Sequence, residues 1–239
     1  MYALILAGGK GERLRPLTDT LPKPMVPLRG KPILAHQVEW LKEAGVTDVV
    51  FLAGYRWESI WDHFGDGQRF GIRAHYSAEE TPLGRGGAIR KGLPLVPEAE
   101  STVAVLNGDI ITEERLEALL DRHLEKKAAN PSHLATIMVV PMVSPYGLVD
   151  LGGQDGVVGF REKVEMPYWI NAGIYILDRE IASELPETGD HETGTFPRLA
   201  SAGQIAALKT QFFWRSVDSF KDLRDAEEYL AVRDAGATS

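Results

Sequence analysis

Apolar segments alternate with amphipathic segments along the first 140 residues of the chain. Short apolar runs that end in glycine or turn residues predict buried strands, and apolar residues three or four apart predict helices. The predicted strands comprise residues 2–6, 48–53, 72–77, 102–106 and 134–140. The predicted helices comprise residues 32–44, 57–64, 84–91 and 112–127. This alternation predicts an α/β fold with a Rossmann-like, mainly parallel sheet and helices on both faces.

The pattern changes after Val140, where strand-like segments follow one another with hairpin signals between them. We expect strands at residues 147–151, 157–163, 170–177 and 204–211, and a terminal helix at residues 220–233. The final residues predict a frayed tail. The chain is therefore interpreted as one domain, with a main part at 1–140, a smaller lobe at 141–215 and a C-terminal segment at 216–239.

Composition excludes several classes of protein. No apolar run approaches the roughly 18–20 residues of a membrane-spanning helix, so we expect no membrane association. The chain of 239 residues has no cysteine, which excludes disulfides and thiolate zinc sites and fits a cytoplasmic protein. The net charge of −8 disfavours nucleic acid as a partner, whereas a small phosphate ligand needs only a few local cations.

A glycine-rich loop follows the first predicted strand and includes Gly8, Gly9 and Gly11. Glycines allow backbone N–H groups to approach a phosphate closely. The loop is not a P-loop, because no Gly-Lys-Ser/Thr follows at the required distance. It does not match a dinucleotide fingerprint either, since Leu14 stands where a third glycine or alanine belongs.

Two cations follow the glycine loop. Arg13 lies two residues beyond it, and Lys23 stands between Pro22 and Pro24. Proline restricts its own backbone and that of the preceding residue, so Lys23 is presented by a stiff segment. The alternative is that both residues are solvated surface charges. We favour the interpretation that they contact a phosphate ligand.

Two aspartates are candidates for a Mg²⁺ site. Asp109 follows a buried strand, and Asp218 precedes the last predicted helix. Mg²⁺ takes one or two carboxylates together with phosphate oxygens and water. The alternatives are that Asp109 is a turn residue and that Asp218 is a helix N-cap, although Ser219 is also placed to cap that helix.

The N-terminal motifs resemble the signature of the sugar-1-phosphate nucleotidyltransferases, also called nucleotide-sugar pyrophosphorylases. The matching segments are Leu6-Ala7-Gly8-Gly9-x-Gly11-x-Arg13-Leu14-x-Pro16-Leu17-Thr18, Pro22-Lys23-Pro24-Met25-x-Pro27 and Gly30-Lys31-Pro32. The resemblance implies the nucleotide-diphospho-sugar transferase fold with a sugar-binding lobe. It implies a Mg²⁺-dependent enzyme of EC 2.7.7 type that transfers a nucleoside monophosphate from a nucleoside triphosphate to a sugar 1-phosphate and releases pyrophosphate.

The resemblance also implies roles for individual residues. Arg13 would hold the leaving pyrophosphate and Lys23 the α-phosphate, while Asp109 and Asp218 would bind the metal. The implied nucleotide-binding residues are Leu6, Ala7, Gly8, Gly9, Gly11, Glu79, Glu80, Gly84 and Asn107. The implied sugar-phosphate-binding residues are Gly147, Glu162, Lys163 and Asn171.

Two segments bear on the substrate. After Asp218 the chain reads Ser-Phe-Lys-Asp instead of the common Gly-Thr-Pro, a form similar to that of glucose-1-phosphate cytidylyltransferases and some mannose or manno-heptose guanylyltransferases. A carboxylate such as Glu79 or Glu80 accepts two guanine donors, and the segment has no glutamine, so we favour GTP with mannose or heptose 1-phosphate. UTP, dTTP, CTP or ATP remain alternatives, as does a non-catalytic nucleotide-sugar sensor. A second copy of the chain is a possible partner.

Overall fold

The apolar run at the start of the chain forms an inner strand of a central sheet within residues 1–236, which this computed structural model describes. The strands are β1 (Tyr2–Ala7), β2 (Pro27–Leu28), β3 (Lys31–Pro32), β4 (Asp48–Ala53), β5 (Arg73–Ala78), β6 (Thr102–Asn107), β7 (Ile110–Thr112), β8 (Ala135–Val143), β9 (Leu148–Leu151), β10 (Val157–Arg161), β11 (Glu165–Asp178), β12 (Ile205–Lys209) and β13 (Trp214–Ser216). The helices are α1 (Ile33–Glu43), α2 (Glu58–Phe64), α3 (Gly84–Gly92), α4 (Leu116–Ala129), α5 (Thr195–Ser201) and α6 (Phe220–Gly236).

Over residues 1–236, the central sheet has seven strands in the order β12-β8-β11-β6-β1-β4-β5. The pairs β1/β4, β1/β6, β4/β5 and β12/β8 are parallel, and β11 runs antiparallel to both of its neighbours, β6 and β8. The predicted mainly parallel sheet is confirmed. Because β1 lies between β4 and β6 and is parallel to both, the loops that follow these three strands lie together at the carboxyl ends of the strands.

The sheet buries apolar side chains on both faces, because successive residues of a strand point to opposite sides. In β1, Ala3 and Ile5 pack with Leu34 and Val38 of α1 on one face. Leu4 packs on the other face, in the cluster that includes Ile89 of α3. The helices therefore cover both faces, as the alternating pattern predicts.

Several elements differ from the sequence-based expectations. The helix predicted from Thr112 begins at Leu116, because residues 110–112 instead form β7. The helix α5 and the short strand β13 were not predicted. The last helix extends through Gly236, whereas residues 237–239 of the predicted frayed tail lie outside the described residues. Strands of three residues are too short to carry a periodic pattern, so β7 and β13 left no signal.

Within residues 1–236, no helix combines the length and the apolar character needed to cross a bilayer. Among the described residues, β9 and β10 pair only with each other and form an antiparallel two-stranded sheet. The division into a main part and a smaller sugar-binding lobe stays a prediction.

Candidate active site

The glycine loop after β1 folds back onto the segment that carries Lys23. Gly11 has a φ of +65°, and a Cβ atom there would lie 2.7 Å from Cβ of Lys23. The hydroxyl of Thr18 donates to the carbonyl of Gly11 at 2.8 Å, and the backbone N–H of Lys23 donates to the carbonyl of Gly9 at 3.3 Å. The missing side chain at Gly11 therefore allows Lys23 to lie directly against the loop.

Lys23 extends from this segment between the two candidate metal aspartates. Its side chain is 11% exposed. The Nζ atom donates a hydrogen bond to Oδ2 of Asp109 and another, at 2.6 Å, to Oδ1 of Asp218. One ammonium group thus holds two carboxylates that are 109 residues apart in sequence, the difference between positions 218 and 109.

The backbone brings the two aspartates together through β7 and β13. These strands pair antiparallel, and the N–H of Val217 donates to the carbonyl of Asp109 at 2.8 Å. Ser219 makes the side-chain hydrogen bonds at the start of α6, because its hydroxyl donates to Asp222 at 2.7 Å and accepts from the Asp222 N–H at 3.3 Å. The Asp218 side chain is therefore not the cap of this helix and faces Lys23.

Arg13 completes this group of charges from the exposed side. Its Nη2 atom donates to Oδ1 of Asp218 at 2.7 Å, and its side chain is 72% exposed. Burial alone would raise the pKa of Asp218. The hydrogen bond and the charge of Lys23, with further contributions from Ser216 and Arg13, outweigh burial and hold that pKa below its ordinary value. Asp218 is therefore ionised at neutral pH.

These four charged side chains line one cavity of about 400 Å³ with Gly9, Gly11 and Glu12. A second cavity of about 350 Å³ shares Gly9, Lys23 and Asp109 with it. Six predicted nucleotide-binding residues line the second cavity: Leu6, Gly8, Gly9, Glu79, Gly84 and Asn107. A cavity of this size is within the range of small-molecule sites. The second cavity supplies apolar lining, and the first supplies the charged side chains beside it.

The remaining predicted residues lie outside the lining of these two cavities. Ala7 is buried, and its side chain belongs to the hydrophobic core. Glu80 is exposed, and so are Glu162 and Lys163 immediately after β10. Gly147 lies against Phe160, whose ring would be 2.5 Å from a Cβ atom at that position. Their assignments stay predictions.

Asn171 is linked to the second cavity through Glu192. Nothing in the sequence indicated that Glu192 belongs to the site. Oε1 of Glu192 accepts from Nδ2 of Asn171 at 3.0 Å and from the hydroxyl of Tyr175 at 3.0 Å. The same oxygen accepts from Nη1 of Arg85 at 2.5 Å, and Arg85 lines the cavity. The only sequence signal for Arg85 is its place after Gly84 in the predicted base-binding segment. Its partners, Asp190 and Glu192, lie more than 100 residues away.

The donor set at the charged end fits a divalent cation. Oδ2 of Asp109 and Oδ1 of Asp218 converge on one nitrogen, and the buried Oδ1 of Asp109 has no hydrogen-bond partner in residues 1–236. Carboxylate oxygens are the ligands that Mg²⁺ prefers. The described residues contain no group of three or more His, Cys, Asp or Glu side chains placed to hold a metal. The two carboxylates would therefore be the protein's share of the ligands, and water or the oxygens of a bound molecule would complete the shell.

Comparisons with known proteins place the chain in a family. The sequence model described as Nucleotidyl transferase matches residues 2–232, and the chain belongs to this family. The mannose-1-phosphate guanylyltransferase of Mycobacterium tuberculosis is 35% identical over an alignment 228 residues long, which covers 92% of this chain and 62% of that protein. The UTP–glucose-1-phosphate uridylyltransferase of Synechocystis sp. is 34% identical over an alignment 242 residues long, gaps included, which covers 93% of this chain and 61% of the relative.

Solved structures agree with the sequence comparison. HddC from Yersinia pseudotuberculosis, in complex with GMP-PN, superposes with a TM-score of 0.75 at 26% identity, covering 96% of this chain and 99% of that one. The predicted Rossmann-like nucleotidyltransferase fold is therefore confirmed. The chain spans about 62% of the length of curated relatives such as the mycobacterial enzyme.

Proposed function

We propose that the chain transfers a nucleoside monophosphate from a nucleoside triphosphate to a sugar 1-phosphate and releases pyrophosphate. The observation that carries this proposal is the convergence of Arg13, Lys23, Asp109 and Asp218 in one cavity beneath the glycine loop. Family membership and the names of the similar proteins support the same reaction. The geometry supports it because a polyphosphate requires clustered cations beside oxygen ligands for a metal.

In the proposed reaction, a phosphate oxygen of the sugar 1-phosphate attacks the α-phosphorus of the nucleotide. A new P–O bond forms there, the bond from the α-phosphorus to the oxygen bridging the β-phosphate breaks, and pyrophosphate leaves. Lys23 neutralises charge on the α-phosphate, and Arg13 neutralises the leaving pyrophosphate. Before any ligand binds, Lys23 is paired with Asp109 and Asp218, and Arg13 is paired with Asp218, so both cations already lie in the cavity where the phosphates would bind.

Mg²⁺ is part of the proposal, with Asp109 and Asp218 as its protein ligands. A bound ion would supply positive charge to the phosphate oxygens and complete its coordination with them. With an ion bound, the two aspartates would hold the ion instead of Lys23, and the ammonium group of Lys23 would be free to contact the α-phosphate. The unpartnered Oδ1 of Asp109 supports this assignment.

GTP is the proposed nucleotide. Glu79 lines the second cavity, and its Oε2 atom accepts from the N–H of Leu83 at 3.2 Å, which fixes the carboxylate at the cavity wall. A fixed carboxylate suits the paired N–H donors of guanine. Glu80 is exposed and outside this lining, so the proposed base recognition rests on Glu79. A relative named as a guanylyltransferase supports the same choice.

Mannose 1-phosphate or a heptose 1-phosphate is the proposed acceptor. We keep Asn171, Gly147, Glu162 and Lys163 as sugar-phosphate-binding residues. The hydrogen bonds that join Asn171 to Glu192 and Arg85 support a place for Asn171 beside the nucleotide cavity. Lys163 is the cation among these residues and would neutralise the acceptor phosphate.

A homodimer and a cytoplasmic location complete the proposal. The β9–β10 hairpin exposes Leu151, Val158 and Phe160, apolar side chains that a second copy would cover. Light scattering on the purified chain tests the dimer. Use of a nucleoside triphosphate as substrate supports the cytoplasm, which cell fractionation tests.

The decisive experiment measures pyrophosphate release with a panel of GTP, UTP, dTTP, CTP and ATP against mannose, heptose and glucose 1-phosphates. We expect the highest kcat/KM with GTP and a manno-configured acceptor. Release with another triphosphate would retain the reaction and overturn the base assignment. Binding of nucleotides or nucleotide sugars without turnover across the panel would favour a sensor and overturn the proposed reaction.

A further inference from the structure

Gln37 is a buried polar side chain on the apolar face of α1. It is 3% exposed, and its neighbours on that face, Leu34, Val38 and Leu41, belong to the hydrophobic core. Burying an amide among apolar groups is unfavourable unless its hydrogen bonds are made. The position of Gln37 is therefore explained by its hydrogen bonds and not by apolar packing.

The Nε2 atom of Gln37 donates two hydrogen bonds to backbone carbonyls. They go to the carbonyl of Asn107 at 2.8 Å and to that of Ile110 at 3.0 Å. Both partners are acceptors, so only the NH₂ end of the amide can face them, and its orientation is fixed by chemistry. Oε1 of Gln37 is buried and has no hydrogen-bond partner in the described chain.

These two carbonyls bracket the Gly108-Asp109 connection between β6 and β7. The N–H of Gly108 donates to the carbonyl of Leu6 at 2.9 Å, and the carbonyl of Asp109 accepts from Val217 at 2.8 Å. Gln37 therefore holds the entry and the exit of a turn whose middle is held by β1 and by the residue before Asp218. Because the backbone of the turn is held at these points, the carboxylate of Asp109 can move mainly by rotation about the torsion angles of its own side chain.

We infer that Gln37 is a positioning residue that fixes the Asp109 carboxylate for binding a divalent cation. This inference rests on the proposed function, because it takes Asp109 as a metal ligand. Gln37 lies behind the turn and does not line either cavity that contains Asp109. Its effect is expected in metal binding rather than in chemistry, since outer residues that orient ligands typically change metal affinity by about 10–100-fold.

The same helix offers a matched control. Trp40 is three residues further along α1, and its Nε1 atom donates to the carbonyl of Glu114 at 2.9 Å. Trp40→Phe removes a hydrogen bond from α1 to the chain beyond β7 and leaves the hydrogen bonds of Gln37 to Asn107 and Ile110 in place. Gln37→Met keeps the length of the side chain and removes both donors. Gln37→Asn, which retains an amide on a shorter side chain, is the second variant if Gln37→Met does not fold.

The experiment titrates the full chain with Mn²⁺ and follows free Mn²⁺ by electron paramagnetic resonance. We expect Q37M to raise the Kd for Mn²⁺ about tenfold, Q37N less, and W40F less than twofold, with Asp109→Asn as the reference for a lost ligand. In the pyrophosphate assay, Q37M should need about tenfold more Mg²⁺ for half-maximal rate and recover nearly the wild-type kcat at saturating Mg²⁺. A lower kcat at every Mg²⁺ concentration, with unchanged Mn²⁺ affinity, would identify a purely structural role.

The outcomes separate this inference from the proposed function. An active wild-type chain in which Q37M and W40F bind Mn²⁺ equally well overturns the inference and leaves the proposed reaction intact. A wild-type chain that binds Mn²⁺ but releases no pyrophosphate overturns the proposed reaction, while the comparison of Mn²⁺ affinities still decides the role of Gln37. A wild-type chain that binds no Mn²⁺ overturns the inference whatever the pyrophosphate assay shows.

Discussion

Lys23 is the side chain on which both aspartates of the charged cavity converge. Its replacement by alanine removes the fixed cation that we assign to the α-phosphate. Loss of one such preorganised group costs about 3–4 kcal/mol in the transition state, so Lys23→Ala should lower kcat by roughly 10²–10³-fold. Stopped assays of pyrophosphate release measure this change, and circular dichroism checks that the fold is retained.

Lys10 provides the matched control for that variant. It lies in the same glycine loop, is exposed, and does not line either of the two cavities. Lys10→Ala should retain kcat within about twofold, because an exposed charge that does not line the cavity is screened by solvent. Equal kcat values for Lys23→Ala and the wild type would remove the catalytic assignment of Lys23.

At the scale of elements, the glycine loop places Lys23 only because position 11 has no side chain. Gly11→Ala introduces an unfavourable left-handed alanine, at about 1–2 kcal/mol, and a Cβ atom 2.7 Å from Cβ of Lys23. The collision must move Lys23, and displacements of this kind cost up to about 10²-fold in rate. We expect kcat to fall at least tenfold in steady-state assays.

Gly30→Ala is the control that distinguishes the effect of left-handed backbone strain from the effect of the collision with Lys23. Gly30 has a φ of +83°, but a Cβ atom there would have no neighbour within 4 Å. Both variants should lose the stability that left-handed strain costs, measured by urea unfolding, and Gly11→Ala should lose more because of its collision. Only Gly11→Ala should lose activity. A parallel loss of activity in Gly30→Ala would attribute the effect at Gly11 to destabilisation alone.

The edge strand β5 is joined to β4 by an ion pair that makes stability depend on pH. The buried Asp48 accepts from Nε of Arg73 at 2.7 Å, Thr47 at 2.7 Å and His75 at 3.1 Å. Burial alone would raise the pKa of Asp48, but these hydrogen bonds outweigh it and hold the pKa well below its ordinary value. Stabilisation from a depressed carboxyl pKa is present above the unfolded value, near 4, and is lost as pH falls through the folded value.

Asp48→Asn should therefore lower the free energy of unfolding by about 1–2 kcal/mol at pH 7. This value lies in the lower part of the range for hydrogen bonds to a charged group, because Arg73 is 67% exposed and solvent screens its ion pair with Asp48. The difference from the wild type should shrink between about pH 4 and pH 2, as measured by urea unfolding. Asp62→Asn, at an exposed position in α2, should show neither effect. A difference that stays constant with pH would contradict the role of Asp48.

Across the whole molecule, the sequence predicted the strands with long apolar runs and the residues that directly follow them. Asp109 and the glycine loop were found this way, because a buried strand and its end are both visible in the pattern. The partnership of Asp109 with Asp218 was implied by resemblance, but its structural cause, the pairing of β7 with β13, was not predicted. The hydrogen bonds of Arg85 and Gln37 were not indicated by the sequence pattern, because their partners are distant in sequence.

Because the charged cavity joins distant parts of the chain, a ligand bound there should stabilise the whole fold. Arg13 and Asp218, which share a hydrogen bond, are 205 residues apart. A ligand at 100 times its Kd adds about 2.7 kcal/mol, which for a domain of this size raises Tm by about 5–10 °C. GTP with Mg²⁺ should give this shift in differential scanning fluorimetry, and GTP with excess chelator should give a clearly smaller one.

Mg²⁺ and excess chelator should also change the rate of pyrophosphate release. Pyrophosphate release should stop in excess chelator and return on addition of Mg²⁺, because Asp109 and Asp218 need a cation to approach phosphate oxygens without repulsion. Asp109→Asn should show equal Tm shifts with Mg²⁺ and with chelator, since it lacks one of the two carboxylates. A wild-type chain with full activity in excess chelator, and with the same Tm shift in both conditions, would exclude a metal ion from this cavity and leave Lys23 and Arg13 as its only phosphate-binding charges.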